Sequence, residues 1–123
     1  MIEILPERSK SVLAPLYIQK GIDLCENRMA AIAKAGDEVL GYCLFELTNE
    51  RLTVFALEPQ NDIMLADGIL RSALHVGVAN EVMNAYYESS APENLFKKLG
   101  FIGEEPMSLK VEKLFQSCTG CAK

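Results

Sequence analysis

ENLFKKLGF, residues 93–101, is a short amphipathic stretch that stops at a glycine and runs into an aromatic residue. Leu95, Phe96 and Leu99 recur at helical spacing and form one apolar face. Gly100 supplies the left-handed residue on which such a helix closes. The spacing predicts a helix over 93–99 that leads into a strand beginning at Phe101.

The elements before it set its context. EVMNAYY, 81–87, reads as a strand, and ESSAP, 88–92, as the loop that joins it to the short helix. A longer helix is expected over 62–78, because Ile63, Ala66, Ile69, Leu70, Ala73, Leu74 and Gly77 fall on one stripe. Asp67, Arg71 and His75 lie on its other face at i, i+4 spacing, so Asp67 and Arg71 form a pair and His75 reads as a surface histidine rather than a catalyst. Upstream, VLGYCLFEL (39–47) and RLTVFAL (51–57) are strands joined by a hairpin turn, with 29–35 and the turn AGDE before them. Val39, Cys43, Phe45 and Leu47 face one side and Leu40, Tyr42 and Leu44 the other, so helices are expected to cover both faces. Pro59 ends the third strand of this meander.

The N-terminal stretch reads as a short strand over 2–5, then a helix with Pro6 at its first position. Val12, Leu13, Leu16 and Tyr17 form its stripe, Pro15 interrupts or kinks it and Gly21 ends it. Two closing strands, 101–103 and 108–113, follow the short helix. The fold class is therefore α/β (α+β): an antiparallel meander, a crossover helix, then a strand parallel to the meander's last member.

Composition narrows the function. The 123 residues suit a single domain over 1–123, with a polar C-terminal tail at 116–123. Seventeen acidic against 12 basic residues give a net charge of −5, with no basic stripe, which argues against a nucleic-acid partner. No apolar run is long enough to span a bilayer, and MIEILPERSK lacks the pattern of a signal peptide, so the expectation is a cytoplasmic protein with no membrane partner. Of the four cysteines, Cys43 reads as a core residue, and Cys118 and Cys121 form CTGC at the chain's end. One such pair supplies two ligands where a structural zinc wants four, so the expected metal set is none and the tail reads as reducible thiols.

The element order, together with LEP (57–59), ADGILRSAL (66–74) and ENLFKKLGF (93–101), resembles the GNAT acetyltransferase superfamily over about residues 39–114. The resemblance implies acetyl-CoA as cosubstrate and N-acetyl transfer to a small-molecule or peptide amine. It also implies where the parts lie. Phe55 and Leu57 fall on the strand edge that pairs with pantetheine. Gln60, Asn61 and Gly68 fall at the pyrophosphate loop, and Ser89 and Ser90 at the pantetheine arm. Phe96 stands beside the leaving thiolate, partly buried at the cleft. Glu58, Glu46 and Tyr87 are the candidate acid–base groups.

Two positions depart from the family pattern. The loop carries Asp62, Leu65 and Asp67 where a basic residue and two glycines are usual, and carboxylates there oppose a pyrophosphate. Phe96 replaces a tyrosine and has no proton to give a thiolate. The resemblance also allows a degenerate binding or interaction module without CoA chemistry. A third class is a thiol or metal protein built on CTGC. Family members wall the acceptor site with two helices where this chain has one, so the pocket is either open or completed by a second chain in a homodimer.

Overall fold

A computed structural model describes residues 2–115 of the chain. In chain order the elements are β1 (Ile2–Glu7), α1 (Lys10–Lys20), β2 (Arg28–Ala35), β3 (Glu38–Leu47), β4 (Leu52–Glu58), α2 (Ile63–Ala79), β5 (Ala85–Tyr87), α3 (Glu93–Leu99) and β6 (Ser108–Leu109). The strands form one mixed sheet in the order β1-β2-β3-β4-β5-β6. Every pairing is antiparallel except β4 with β5, which are joined through α2.

The two faces of the sheet can be told apart at β3. A Cβ on Gly41 would lie 2.8 Å from Ile69 Cδ1, so Gly41 faces α2. Its neighbour Tyr42 points the other way and is paired with Glu58, which bonds Lys20 of α1. Helix α1 therefore covers one face, and α2 covers the other. Helix α3 lies on the α2 side, where the rings of Phe96 and Tyr87 meet at a centroid distance of 5.0 Å. Strands β2, β3 and β4 are buried on both faces, as their two-sided apolar runs require. The Tyr17 hydroxyl ties α1 to the sheet by donating to the carbonyls of Met29 (2.6 Å) and Phe45 (3.3 Å).

Helix α3 takes the bounds its spacing predicts, and Gly100 closes it at φ 81°. Several expectations are corrected. Pro6 belongs to β1, not to a helix, and α1 starts only after Ser9. β1 is an edge strand, where a missing N–H costs no ladder bond. Pro15 sits inside α1 without ending it. Pro15 and Ser11 are both exposed, so the carbonyl freed by the missing N–H lies on the solvent side of the helix. The meander has four strands rather than three, because β1 pairs along its whole length with β2.

The expected strand over 81–87 shrinks to Ala85–Tyr87. Its first residues complete a Schellman motif at the end of α2. The Val82 N–H donates to the Gly77 carbonyl (2.8 Å) and the Glu81 N–H to the Val78 carbonyl (2.9 Å). Glu81 takes the left-handed position at φ 64°, where a glycine would have been the readable signal. The closing strands contract in the same way to Ser108–Leu109, with a single bridge from Ile102 to Leu109. The CTGC pair lies outside the described residues. Among the described residues, no helix is long and apolar enough to cross a membrane.

Candidate functional site

The site grows from one irregularity in β4. Along β3 the pairing runs Leu44 to Ala56 and then Phe45 to Val54, which leaves Phe55 as an extra residue. Such a bulge bends its strand and sharpens the local twist. On the other side of β4, the parallel pairing with β5 runs from Leu52–Ala85 to Val54–Tyr87 and stops. From Phe55 to Glu58 the strand continues without β5 beside it, because β5 ends at Tyr87.

The loop after β5 crosses the start of this gap. The Glu88 N–H donates to the Val54 carbonyl, and the Ser90 hydroxyl donates to the Phe55 carbonyl, both at 2.9 Å. Phe55 and Leu57 are buried as side chains, so only their backbone is available to a ligand. Ser89 is exposed on the same loop.

At the start of α2, Asp62 is the N-cap. Its carboxylate accepts the Leu65 N–H (3.1 Å) and its carbonyl the Ala66 N–H (2.9 Å). That leaves Ile63 and Met64 as the first-turn N–H groups that Asp62 does not take. Beside them a cavity of about 250 Å³ is lined by Ile63, Met64, Asp67, Lys98 and Leu99. Asp67 reaches this cavity, yet its Oδ2 accepts from Arg71 Nε at 2.8 Å, which offsets its charge. Gln60 and Asn61 are exposed, and Gln60 Nε2 donates to Glu58 at 3.3 Å.

Gly68 does not belong to this loop. It lies in the second turn of α2, and a Cβ there would lie 3.2 Å from Ile4 Cδ1 of β1. Its N–H is past the unbonded first turn, so it has no part in holding an anion.

The structure engages each candidate acid–base group with a partner. Glu58 Oε2 meets Lys20 Nζ at 2.5 Å, with about a third of each side chain exposed, 28% and 30%. This hydrogen bond raises the Lys20 pKa above its ordinary value. Tyr42, packed opposite Glu58, is also raised, mainly by burial. Glu46 stands 3.9 Å from Arg28 Nε, and that guanidinium lies over the Phe55 ring at 4.6 Å. The Tyr87 hydroxyl donates to Glu93 at 2.8 Å. Burial, and then this bond, raise its pKa.

Phe96 is 0% exposed, which corrects the expectation of a partly buried side chain at the cleft. Its ring packs on Tyr87 within the apolar layer between α3 and the sheet. None of these pairings has a local sequence signature except Asp67 with Arg71. Lys20 and Glu58 are 38 residues apart, and Ser90 and Phe55 are 35 apart. Among the described residues, no three His, Cys, Asp or Glu side chains are placed to hold a metal ion.

The comparisons add no relative to this geometry. No protein-family model matches the chain, and no curated protein matches its sequence.

Proposed function

We propose that the chain is a GNAT-like N-acetyltransferase, which takes an acetyl group from acetyl-CoA and passes it to a small amine or a peptide amine. The observation that carries this reading is the edge of β4 that lacks a partner strand beyond Val54, at the Phe55 bulge and beside the start of α2. The edge from Phe55 to Glu58 offers backbone groups to an extended, amide-bearing arm, as an exposed strand edge does to a peptide. The Ser90 hydroxyl occupies the place at the Phe55 carbonyl that an incoming amide N–H would take, and a serine rotamer is readily displaced. Ile63 and Met64 supply N–H groups toward an anion at the helix start.

Glu58 is the group to receive a proton from the acceptor. In the free protein Lys20 holds it, and an acceptor ammonium replaces one cation by another at that carboxylate. Phe96 gives no proton, so transfer relies on positioning and on the tolerable leaving ability of a thiolate.

A second reading, a binding module without CoA chemistry, is favoured by the engagement of Glu58, Glu46 and Tyr87 by Lys20, Arg28 and Glu93. Thiol release from acetyl-CoA in the presence of an amine panel separates the two. Turnover that is lost in Glu58→Gln supports transfer. Binding of acetyl-pantetheine with no thiol release for any amine supports the module. Absence of both rejects the cleft as a thioester site.

A further inference from the structure

We propose that a second site, a cavity between the start of α1, the start of β2 and the end of β3, binds a small organic carboxylate. It lies at the other end of the sheet from the cleft. Leu47, in its wall, pairs with Leu52 at the beginning of β4, whereas the cleft opens at the last residues of that strand. The two share no lining residue, although Arg28 also packs on the Phe55 ring, and each is tested with its own ligand.

The cavity has a volume of about 210 Å³, and its charged lining is Arg8, Lys10, Arg28 and Glu26. Three cations, against Glu26 in the lining and Glu46 beside Arg28, leave an excess of one positive charge in a chain whose net charge is −5. Cations gathered in a concave, partly apolar wall reinforce one another's field on a ligand. The rest of the wall includes Leu13, Leu24 and Leu47.

Arg28 is the fixed member of the set. Its Nη1 donates to the Asp23 carbonyl at 2.7 Å, and its guanidinium lies over the Phe55 ring. Its Nε–H is buried and finds no hydrogen-bond acceptor among the described residues. The Glu46 carboxylate stands 3.9 Å from Nε and offsets part of the guanidinium charge.

The chemistry of the wall selects the ligand. Arg8 and Lys10, both exposed in the lining, offer charged donors to a carboxylate. The leucines favour a ligand with an apolar body, and an alkyl ammonium would meet like charge. The volume is below the roughly 300–1,000 Å³ typical of drug-sized pockets, so the body is short.

Hexanoate is the probe, with hexanol, hexylamine and inorganic phosphate as controls. Calorimetry on the whole chain measures affinity. Alkylation of Cys25, an exposed thiol in the cavity wall, is followed by peptide mass spectrometry and reports the place. Hexanoate is expected to bind and to slow Cys25 alkylation. Arg8→Gln with Lys10→Gln, both exposed, is expected to weaken it by about tenfold or more and to leave the melting temperature of the free protein unchanged. No binding at millimolar hexanoate overturns the proposal. So does equal binding of hexanol, hexylamine or phosphate, or an unchanged affinity in the double variant.

Discussion

The two halves of β4 have the same apolar character and different fates. Leu52 to Val54 is closed in by β5, whereas Phe55 to Glu58 keeps a free edge. The second half is nonetheless held firmly. Leu57 pairs with Cys43 and Glu58 with Tyr42, and Gly41 lets the turn after β4 approach closely. An open edge here is not a loose one. The inserted residue at Phe55 bends the strand and the end of β5 at Tyr87 leaves the rest of that edge without a partner strand, while β3 keeps the backbone in register. A rigid, half-paired strand is well suited to an extended ligand, because little ordering remains to be done on binding.

The firmest test of that rigidity is Gly41. A Cβ there would fall 2.5 Å from the Glu58 carbonyl oxygen and 2.7 Å from Pro59 Cδ. Gly41→Val is expected to cost about 3 kcal/mol in urea unfolding, because one of the close atoms is backbone and must shift. A loss below about 1 kcal/mol would mean that the free half of β4 yields easily, and the contrast between rigid and open would fail.

The closed half is tested through Phe96. Its ring is wholly buried against Tyr87, beside the last paired residue of β4. Phe96→Tyr, in a family-like cleft, would restore a proton donor. In this packing it buries a hydroxyl, and a loss of about 1–3 kcal/mol is expected by thermal or chemical unfolding, with no gain in thiol release. Unchanged stability with a faster rate would place the side chain at the cleft after all.

The start of α2 gives a smaller effect. Asp62→Ala removes the N-cap bond to Leu65 and is expected to cost about 1 kcal/mol, whereas Asp62→Asn keeps the bond and changes stability little. Both remove a carboxylate from the first turn, so both are expected to tighten acetyl-CoA more than acetyl-pantetheine, and most at low salt. Equal changes for the two ligands would detach the loop from the nucleotide.

Alkaline pH probes the shared core. Tyr17 and Cys43 both have raised pKa values, caused first by burial. The folded state therefore keeps protons that the unfolded chain loses. Stability from these groups is full below their ordinary values of 9.0 for the thiol and 10.0 for the phenol, and is lost as pH rises above them. Urea midpoints are expected to be level up to about pH 8 and to fall beyond pH 9. Cys43→Ala is expected to soften the fall between 9 and 10; no change in slope would contradict the assignment.

Much of this layout was legible in residues and the rest was not, for identifiable reasons. The α3 bounds, the α2 stripe and the two-sided strands depend on local spacing and on Gly100, and spacing survives folding. The ends of β5 and α1 depend on Glu81 in a left-handed cap and on Pro6 in an edge strand, where residue type points elsewhere. In the candidate site, Asp67 with Arg71 was readable because i, i+4 pairing is local. Lys20 with Glu58, Ser90 with the Phe55 carbonyl and the full burial of Phe96 arise only when distant elements meet.

The free half of β4 is addressed most directly by backbone amide NMR during titration with acetyl-pantetheine, which carries the arm without the nucleotide. Shifts concentrated at residues 55–58 and 88–90, with slowed hydrogen exchange at 55–58, are the expected result. No shifts at millimolar ligand, or shifts confined to residues away from this edge, would contradict it.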